Sequence, residues 1–504
     1  MNTAKKVESG NFIQAAALVF VAFIAVVAVS NQSLWIDEGN SAMKAIQPSF
    51  VLFWEKMKEL GGSDLQMPLY MGLLWAWEKI FGHSEYALRA LNIPFFTLSA
   101  AVFLYLWDAE RRLKLAFVFL MCFSPLLWVY LDEARPYIFQ FFGATSILVA
   151  LWNQAKTPHL NKNLAIFCIG ALVLCGSSLT GVIFTFWFGL AFLVILIRQH
   201  VWSSIFSSKQ NLVALLVTSI GMCGLGMYYF WTLTQGARAS GVGKTDLLSI
   251  GFCFYELLGF SGLGPDRLSL REHGITALKP FYLSLASFGI ALTAFGISSA
   301  LYITKSSRTH RNALLIFIFA AVFCGAISML AVGYIAHFRV LGRHLMPVLP
   351  FILLLLSLGI LQLWQSHKKL NWAVVLALCM LLIFSSLSIR FSPRFAKDDY
   401  RTAAQIAKSS LENGETIWWA ADSATANYYG LEFNEKVINV IGFSKSGLQN
   451  VAAPSLVFLS KLDIYDSNRF ISDFLGENNL RRTQVIRAFS IHRPGDRFIK
   501  LNNT

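Results

Sequence analysis

Charge is scarce in this chain of 504 residues: Asp, Glu, Lys and Arg together make up 14%, against 56% hydrophobic residues. Too few charged side chains remain to cover a water-soluble protein of this size. Cysteine is also scarce. The 7 present are scattered, all but Cys253 inside apolar runs, which excludes a disulfide framework and a CxxC metal site. His273, His337 and His344 show no HxxxH-type spacing, so no cofactor is expected and a divalent metal is left open. The polar C-terminal stretch lacks a phosphate-cradling glycine loop and a nucleophile elbow. No internal repeat is apparent, and the apolar runs carry almost no charge, which argues against a transporter with ionisable groups at mid-membrane.

What is present is apolar length. With 43 Phe, 14 Trp and a mean hydropathy of +0.55, runs of spanning length recur along the chain and predict a polytopic α-helical membrane protein. The first run, residues 12–30, is long and has no clear small-residue cleavage site, so it reads as a retained anchor rather than a signal peptide. The net charge of +14 resides mostly in short connections, at 110–114, 154–163, 198–210, 304–312 and 366–371. Such connections face the cytoplasm and meet anionic membrane lipid, and nucleic acid is not an expected partner. About eleven spans then fit, near 12–30, 86–107, 114–131, 136–153, 164–179, 182–197, 212–233, 281–303, 312–333, 345–364 and 371–389, with the N-terminus cytoplasmic and the C-terminus outside.

Two domains follow: a membrane domain over residues 1–389, and an extracytoplasmic α/β domain over 390–504. The membrane domain has long outer loops at 31–85 and 234–280. In the first, "PLYMGLLWAWEKIFG" (68–82) is too short to span and predicts an interfacial helix begun by Pro68, with Trp75 and Trp77 as anchors. The second is Gly-rich at 236–244 and 258–266 and predicts a mobile loop. The tail alternates helix and strand patterns, with Trp418 and Trp419 on a core strand, and reads as a lid or docking module rather than a separate active site.

Acidic residues cluster where spans surface. "LWIDEG" (34–39) places Asp37 and Glu38 just beyond the first span, and "SPLLWVYLDEARPY" (124–137) places Asp132, Glu133 and Arg135 at the same expected face. Carboxylates at a membrane boundary are costly unless they meet water or partners, so they mark a functional site. Pro136 suits the first turn of a helix whose positive end, beside Arg135, favours an anion.

Taken in order, "LWIDEG", "MPLYMGLLWAWEKIFGHSEYALRALNIPF", "SPLLWVYLDEARPYIF", "RHLMPVLPFILLLLSLGI" and "KDDYRTAAQIA" resemble the polyprenyl-phosphate-dependent membrane glycosyltransferases of the GT-C superfamily. That group includes the protein O-mannosyltransferases and the aminoarabinose transferase that modifies lipid A. The resemblance covers about residues 30–430 and implies a GT-C fold in a bacterial cytoplasmic membrane. It implies a polyprenyl-phosphate sugar as donor and a lipid, glycan or protein as acceptor. Asp37 then matches the catalytic base, supported by Glu38. Glu133, Arg135 and Tyr137 match an "EARxY" motif, preceded by the extra carboxylate of Asp132. Tyr70 closes a "PPLY"-like motif that begins at Met67. Gln66 stands where a His is often found, and "SSLTGVIF" (177–184) replaces a His-Tyr pair; both departures argue against a bound metal.

The chemistry fits these residue types. A sugar on a lipid phosphate already has its leaving group, so the enzyme needs cations for that phosphate and a base for the acceptor, the base contributing about 10²–10⁴-fold. Arg339 and Arg343 are the phosphate candidates, Arg135 next, with His337 and His344 as hydrogen-bonding neighbours. Single displacement inverts the sugar carbon; a double displacement needs a second carboxylate as nucleophile, and both stay open. The alternative reading is a transporter or flippase of a lipid-linked sugar that breaks no bond.

Overall fold

The computed structural model describes residues 2–156, 159–235, 244–306, 314–365 and 369–494. The Gly-rich stretch 236–243 and the parts of the basic connections at 157–158, 307–313 and 366–368 lie outside the described residues. The chain divides into two compact units: Met1–Ser30, Met57–Trp77 and Arg89–Phe395 form the first, and Asn31–Lys56, Glu78–Leu88 and Ala396–Thr504 the second.

The first unit is helical. Among the described residues nine helical stretches are long and apolar enough to cross a membrane, ten if the bent pair Arg111–Cys122 and Pro125–Leu131 is one span. The chain is thus an integral membrane protein. Each of the eleven expected runs coincides with helix among the described residues, and two of them depart from a plain straight span. The run at 114–131 is broken by 57°, because Pro125 lacks the N–H that would continue the ladder and pushes Ser124 into an extended conformation. Trp128 Nε1 donates to the Cys122 carbonyl (2.6 Å) across the break. The run at 136–153 is a 20-residue helix, Tyr137–Lys156, but its side chains are buried almost all round, and Gln140, Thr145, Ser146, Asn153 and Gln154 dilute its apolar character. Its covered surface places it inside the helix bundle, where it runs from the Glu133 end to the Gln154 end.

Polar bonds tie the helix ends together. At one end, Arg390 Nε donates to the Val27 carbonyl (3.1 Å), Arg394 Nη2 to the Gly262 carbonyl (2.8 Å) and Asn92 Nδ2 to the Glu133 carbonyl (2.6 Å). At the other, Gln154 Nε2 donates to Gln199 Oε1 (2.9 Å), Asn163 Nδ2 to Gln154 Oε1 (3.0 Å) and Asn153 Nδ2 to the Leu106 carbonyl (2.8 Å). The acidic motif at Asp132 and Glu133 belongs to the first end, and the basic connections after Lys156 and Arg198 to the second. A helix is present at Pro68–Phe81, where the sequence predicts one over 68–82.

The second unit is built on a five-stranded sheet of β1 (Ile417–Ala420), β2 (Val437–Asn439), β3 (Leu456–Ser460), β4 (Leu480–Ile486) and β5 (Phe489–Pro494), in the order β2-β1-β3-β5-β4. β1 runs parallel to β2 and β3, and β5 antiparallel to β3 and β4. Trp418 and Trp419 are fully buried on opposite faces of β1, as strand alternation requires. The stretch "TQVIRAFSIHR" (483–493) reads as one strand in sequence, but it is a hairpin that turns at Arg487 and Ala488, where Ala488 takes φ 66°. No Gly, Asn or Pro announces that turn. Ile36, from the segment after the first span, packs into the sheet's apolar core beside Tyr400 and Trp419.

Candidate active-site residues

In the first unit the "LDEARPY" segment leaves the short helix Pro125–Leu131 with its two carboxylates diverging. Asp132 accepts from the Ser30 backbone N–H (2.5 Å) and hydroxyl (2.8 Å). Arg89, fully buried, donates to the Ser30 carbonyl (3.1 Å) and lies 3.9 Å from Asp132. Asp132 therefore clamps the end of the first span. Glu133, also buried, belongs to a different group.

That group centres on Tyr130. Arg267 Nη2 donates to the Tyr130 hydroxyl (2.9 Å) and Arg267 Nε to Glu256 (2.7 Å). Glu256 also accepts from the Gly342 N–H (3.0 Å) at the start of the 3-10 helix Gly342–Val348. A Cβ at Gly342 would stand 2.8 Å from the Glu256 Cβ, so the close approach needs glycine. Arg343, next in that helix, sits 5.9 Å over the Tyr137 ring, whose centroid is 4.5 Å from that of Tyr130. Arg267, Arg343, Glu133 and Glu256 all lie close enough for their charges to act on the Tyr130 hydroxyl. Two tilted tyrosines are thus flanked by two guanidiniums at the end of the span layer.

Arg135 is pinned separately: it is buried, ion-paired with Asp64 and hydrogen-bonded to the Ser63 hydroxyl (3.0 Å). Tyr70 is fully buried in the helix Pro68–Phe81. His337 and Arg339 are exposed, His337 at φ 54° and Arg339 within electrostatic reach of Asp246. His344 accepts from the Leu341 N–H through Nδ1 (2.9 Å) and meets Phe338 edge-on. Of the four basic residues expected together here, Arg343 reaches the tyrosine cluster, while His344 packs on Phe338, the residue between His337 and Arg339.

In the second unit Asp37 and Glu38 occupy the first turn of the helix Ile36–Ala45, where the helix dipole favours carboxylates. Glu38 is fully buried and pairs with Lys397 (2.9 Å). Asp37 is half-buried, and its charge reaches Tyr465, which also faces Asp398 and Asp422. Burial pushes the Tyr400 and Tyr465 hydroxyls up, so at neutral pH this hydrogen-bonded pair stays protonated. Lys461 pairs with Asp398 (2.5 Å) and lies 5.8 Å over the Trp35 ring.

Sequence reasoning missed Asp64, Glu256 and Arg267 in the first unit, and Lys397, Asp422 and Tyr465 in the second. A signal existed for two of them: "GSDLQMP" carries Asp64 just ahead of the "PPLY"-like motif, and "GPDR" carries Arg267 at the edge of the Gly-rich loop. Among the described residues no group of three or more His, Cys, Asp and Glu side chains comes together to hold a metal. A mostly apolar groove of about 460 Å³ runs along the helices Leu160–Ser177, Leu179–Arg198 and Lys209–Thr234, lined by Cys175, Val182, Thr185, Phe186, Leu190 and Met222 among others.

No family model and no curated protein matches this chain. Among solved structures it is similar to ArnT from Cupriavidus metallidurans in the apo state, at 11% identity and a TM-score of 0.52, covering 95% of this chain and 97% of that one. It is also similar to that protein bound to undecaprenyl phosphate (12% identity, TM-score 0.49, 98% of each chain). A third likeness is to an oligosaccharyltransferase from Archaeoglobus fulgidus (12% identity, TM-score 0.45, 83% of this chain and 63% of that one). The likeness to apo ArnT extends over nearly the whole of both chains, and with it the chain shares that protein's fold: a polytopic helical membrane domain with a small α/β domain.

Proposed function

We propose that this protein transfers a glycosyl group from a polyprenyl-phosphate-linked sugar to a lipid, glycan or protein acceptor at the outer face of a bacterial cytoplasmic membrane. The tyrosine cluster supports this most. Arg267 and Arg343 flank Tyr130 and Tyr137 where apolar helices end, and planar guanidiniums at that depth suit the phosphate of a lipid whose chain stays in the membrane. The apolar groove is of the kind such a chain needs. Arg343 and Arg267 are the proposed phosphate ligands. Arg135, neutralised by Asp64, holds its loop in place, and Arg339 gives the outer loop positive charge.

Asp37 is the proposed general base, by its match to the GT-C motif and its half-open position in the first turn of its helix. Glu38, locked to Lys397, orients that turn. The departing sugar bond leaves its electron pair on the phosphate, which the guanidiniums stabilise, while Asp37 takes the acceptor's proton. Attack in a single displacement inverts the sugar carbon. Residues 390–504 and the loops 31–85 and 234–280 are proposed to be extracytoplasmic.

Purified protein should bind undecaprenyl phosphate saturably and the alcohol undecaprenol about tenfold or more weakly, with Arg343→Lys narrowing the gap because Lys cannot reproduce the planar fork. Equal binding of phosphate and alcohol would remove the phosphate site from the proposal.

A further inference from the structure

We propose that the C-terminal α/β domain is the scaffold that sets the position of Asp37, and so is part of the catalytic machinery rather than a lid or docking module. This rests on Asp37 being the base. The helix that carries it, Ile36–Ala45, has ten residues and the N-cap Trp35, whose side chain makes no capping bond. Helices this short do not hold themselves together in water. Its rigidity comes from partners, and those partners lie in the tail.

Three contacts do the positioning. A Cβ at Gly39 would lie 2.1 Å from the Thr425 hydroxyl oxygen and 2.6 Å from the Thr425 Cβ, so the helix backbone is seated directly on the helix Ser423–Tyr428, and only glycine permits it. Asn40 Nδ2 reaches both oxygens of Asp422 (3.2 Å each). Asp422 is itself fixed as the cap of Ser423–Tyr428, accepting from the Thr425 N–H (2.7 Å) and hydroxyl (2.6 Å). The approach to the helix is tied as well: the Leu34 N–H donates to the Tyr429 hydroxyl (2.7 Å). Gly39 and Asn40 follow Asp37 within one helical turn, so any shift at this seat moves the carboxylate. Misplacement by about 1 Å costs on the order of 10²-fold in rate.

The test is a size swap. Ala is a better helix former than Gly, so Gly39→Ala strengthens the helix by itself and harms it only through Thr425. Turnover of undecaprenyl-phosphate glycosides by the full-length Gly39→Ala protein should fall roughly 10–100-fold with donor KM unchanged within about twofold. Thr425→Gly, which removes all three clashing atoms, should restore turnover to within about threefold when combined with it. Hydrogen exchange at the amides of Ile36–Ala45 should quicken in the single variant and slow again in the double. Unchanged turnover and exchange in Gly39→Ala, or a double variant with recovered exchange but no recovered turnover, overturns the scaffold role. Should Gly39→Ala fail to fold, Asn40→Ala carries the test: a fall of about threefold to tenfold in kcat at constant KM supports the proposal, and no change overturns it. Asp37→Asn run in parallel separates the two ideas. Normal turnover there removes the base assignment, while exchange in the Gly39 variants still decides whether the tail seats the helix.

Discussion

Residues fall into two kinds here, those whose identity announces their role and those whose role exists only in three dimensions. Asp37, the proposed base, is of the first kind: a carboxylate directly after a span, within a stretch that resembles a glycosyltransferase motif. Replacing it with Asn keeps shape but swaps a basic carboxylate for an amide too weakly basic to take a proton. Turnover of the purified Asp37→Asn variant should drop by about 10²–10⁴-fold while undecaprenyl phosphate binding is retained; normal turnover would shift the base to Glu133. Asp132, three residues before Arg135 and equally conspicuous in sequence, bonds instead to Ser30 beside Arg89. Asp64 and Glu256 are of the second kind. Asp64 meets Arg135 across 71 residues and Glu256 meets Gly342 across 86, separations at which no local pattern reports a partner.

Among the elements, periodicity and span length located most helices, the helix Pro68–Phe81 and the alternating tail, because those features depend on local burial. The bend at Pro125 and the hairpin at Ala488 depend on what packs beside them, and so were not legible, whereas the helix Tyr137–Lys156 was legible in its apolar length but not in its burial. The join between the helix Leu247–Leu257 and the 3-10 helix Gly342–Val348 is of this second sort. Its test is Glu256, which holds Arg267 on one side and the Gly342 N–H on the other. Glu256→Ala leaves the buried Gly342 N–H without its acceptor and the partly exposed Arg267 without its partner, and should destabilise the protein by about 1–3 kcal/mol. Glu256→Gln keeps one acceptor oxygen and should cost less than half of that. Denaturation of the detergent-solubilised variants measures the difference; equal effects would mean that bulk, not charge, makes the join.

At the scale of the whole molecule, the segment after the first span and the C-terminal tail form one compact unit, which requires both to lie on the same side of the membrane. In a cysteine-free background, Asn427→Cys in the tail and Lys58→Cys in the first loop should react with an impermeant thiol reagent added to intact cells, and Lys162→Cys only after the membrane is opened. Labelling of Lys162→Cys alone in intact cells would invert the topology and, with it, the face at which transfer is proposed. The proposed reaction is cleavage of a sugar from a lipid phosphate. The direct measurement is the product formed by the purified protein in lipid nanodiscs, supplied with undecaprenyl-phosphate glycosides and a bacterial envelope extract as acceptor. The prediction is free undecaprenyl phosphate in step with glycosylated acceptor. Movement of intact lipid-linked sugar across a vesicle bilayer with no bond broken, or transfer from a nucleotide sugar instead, would contradict it.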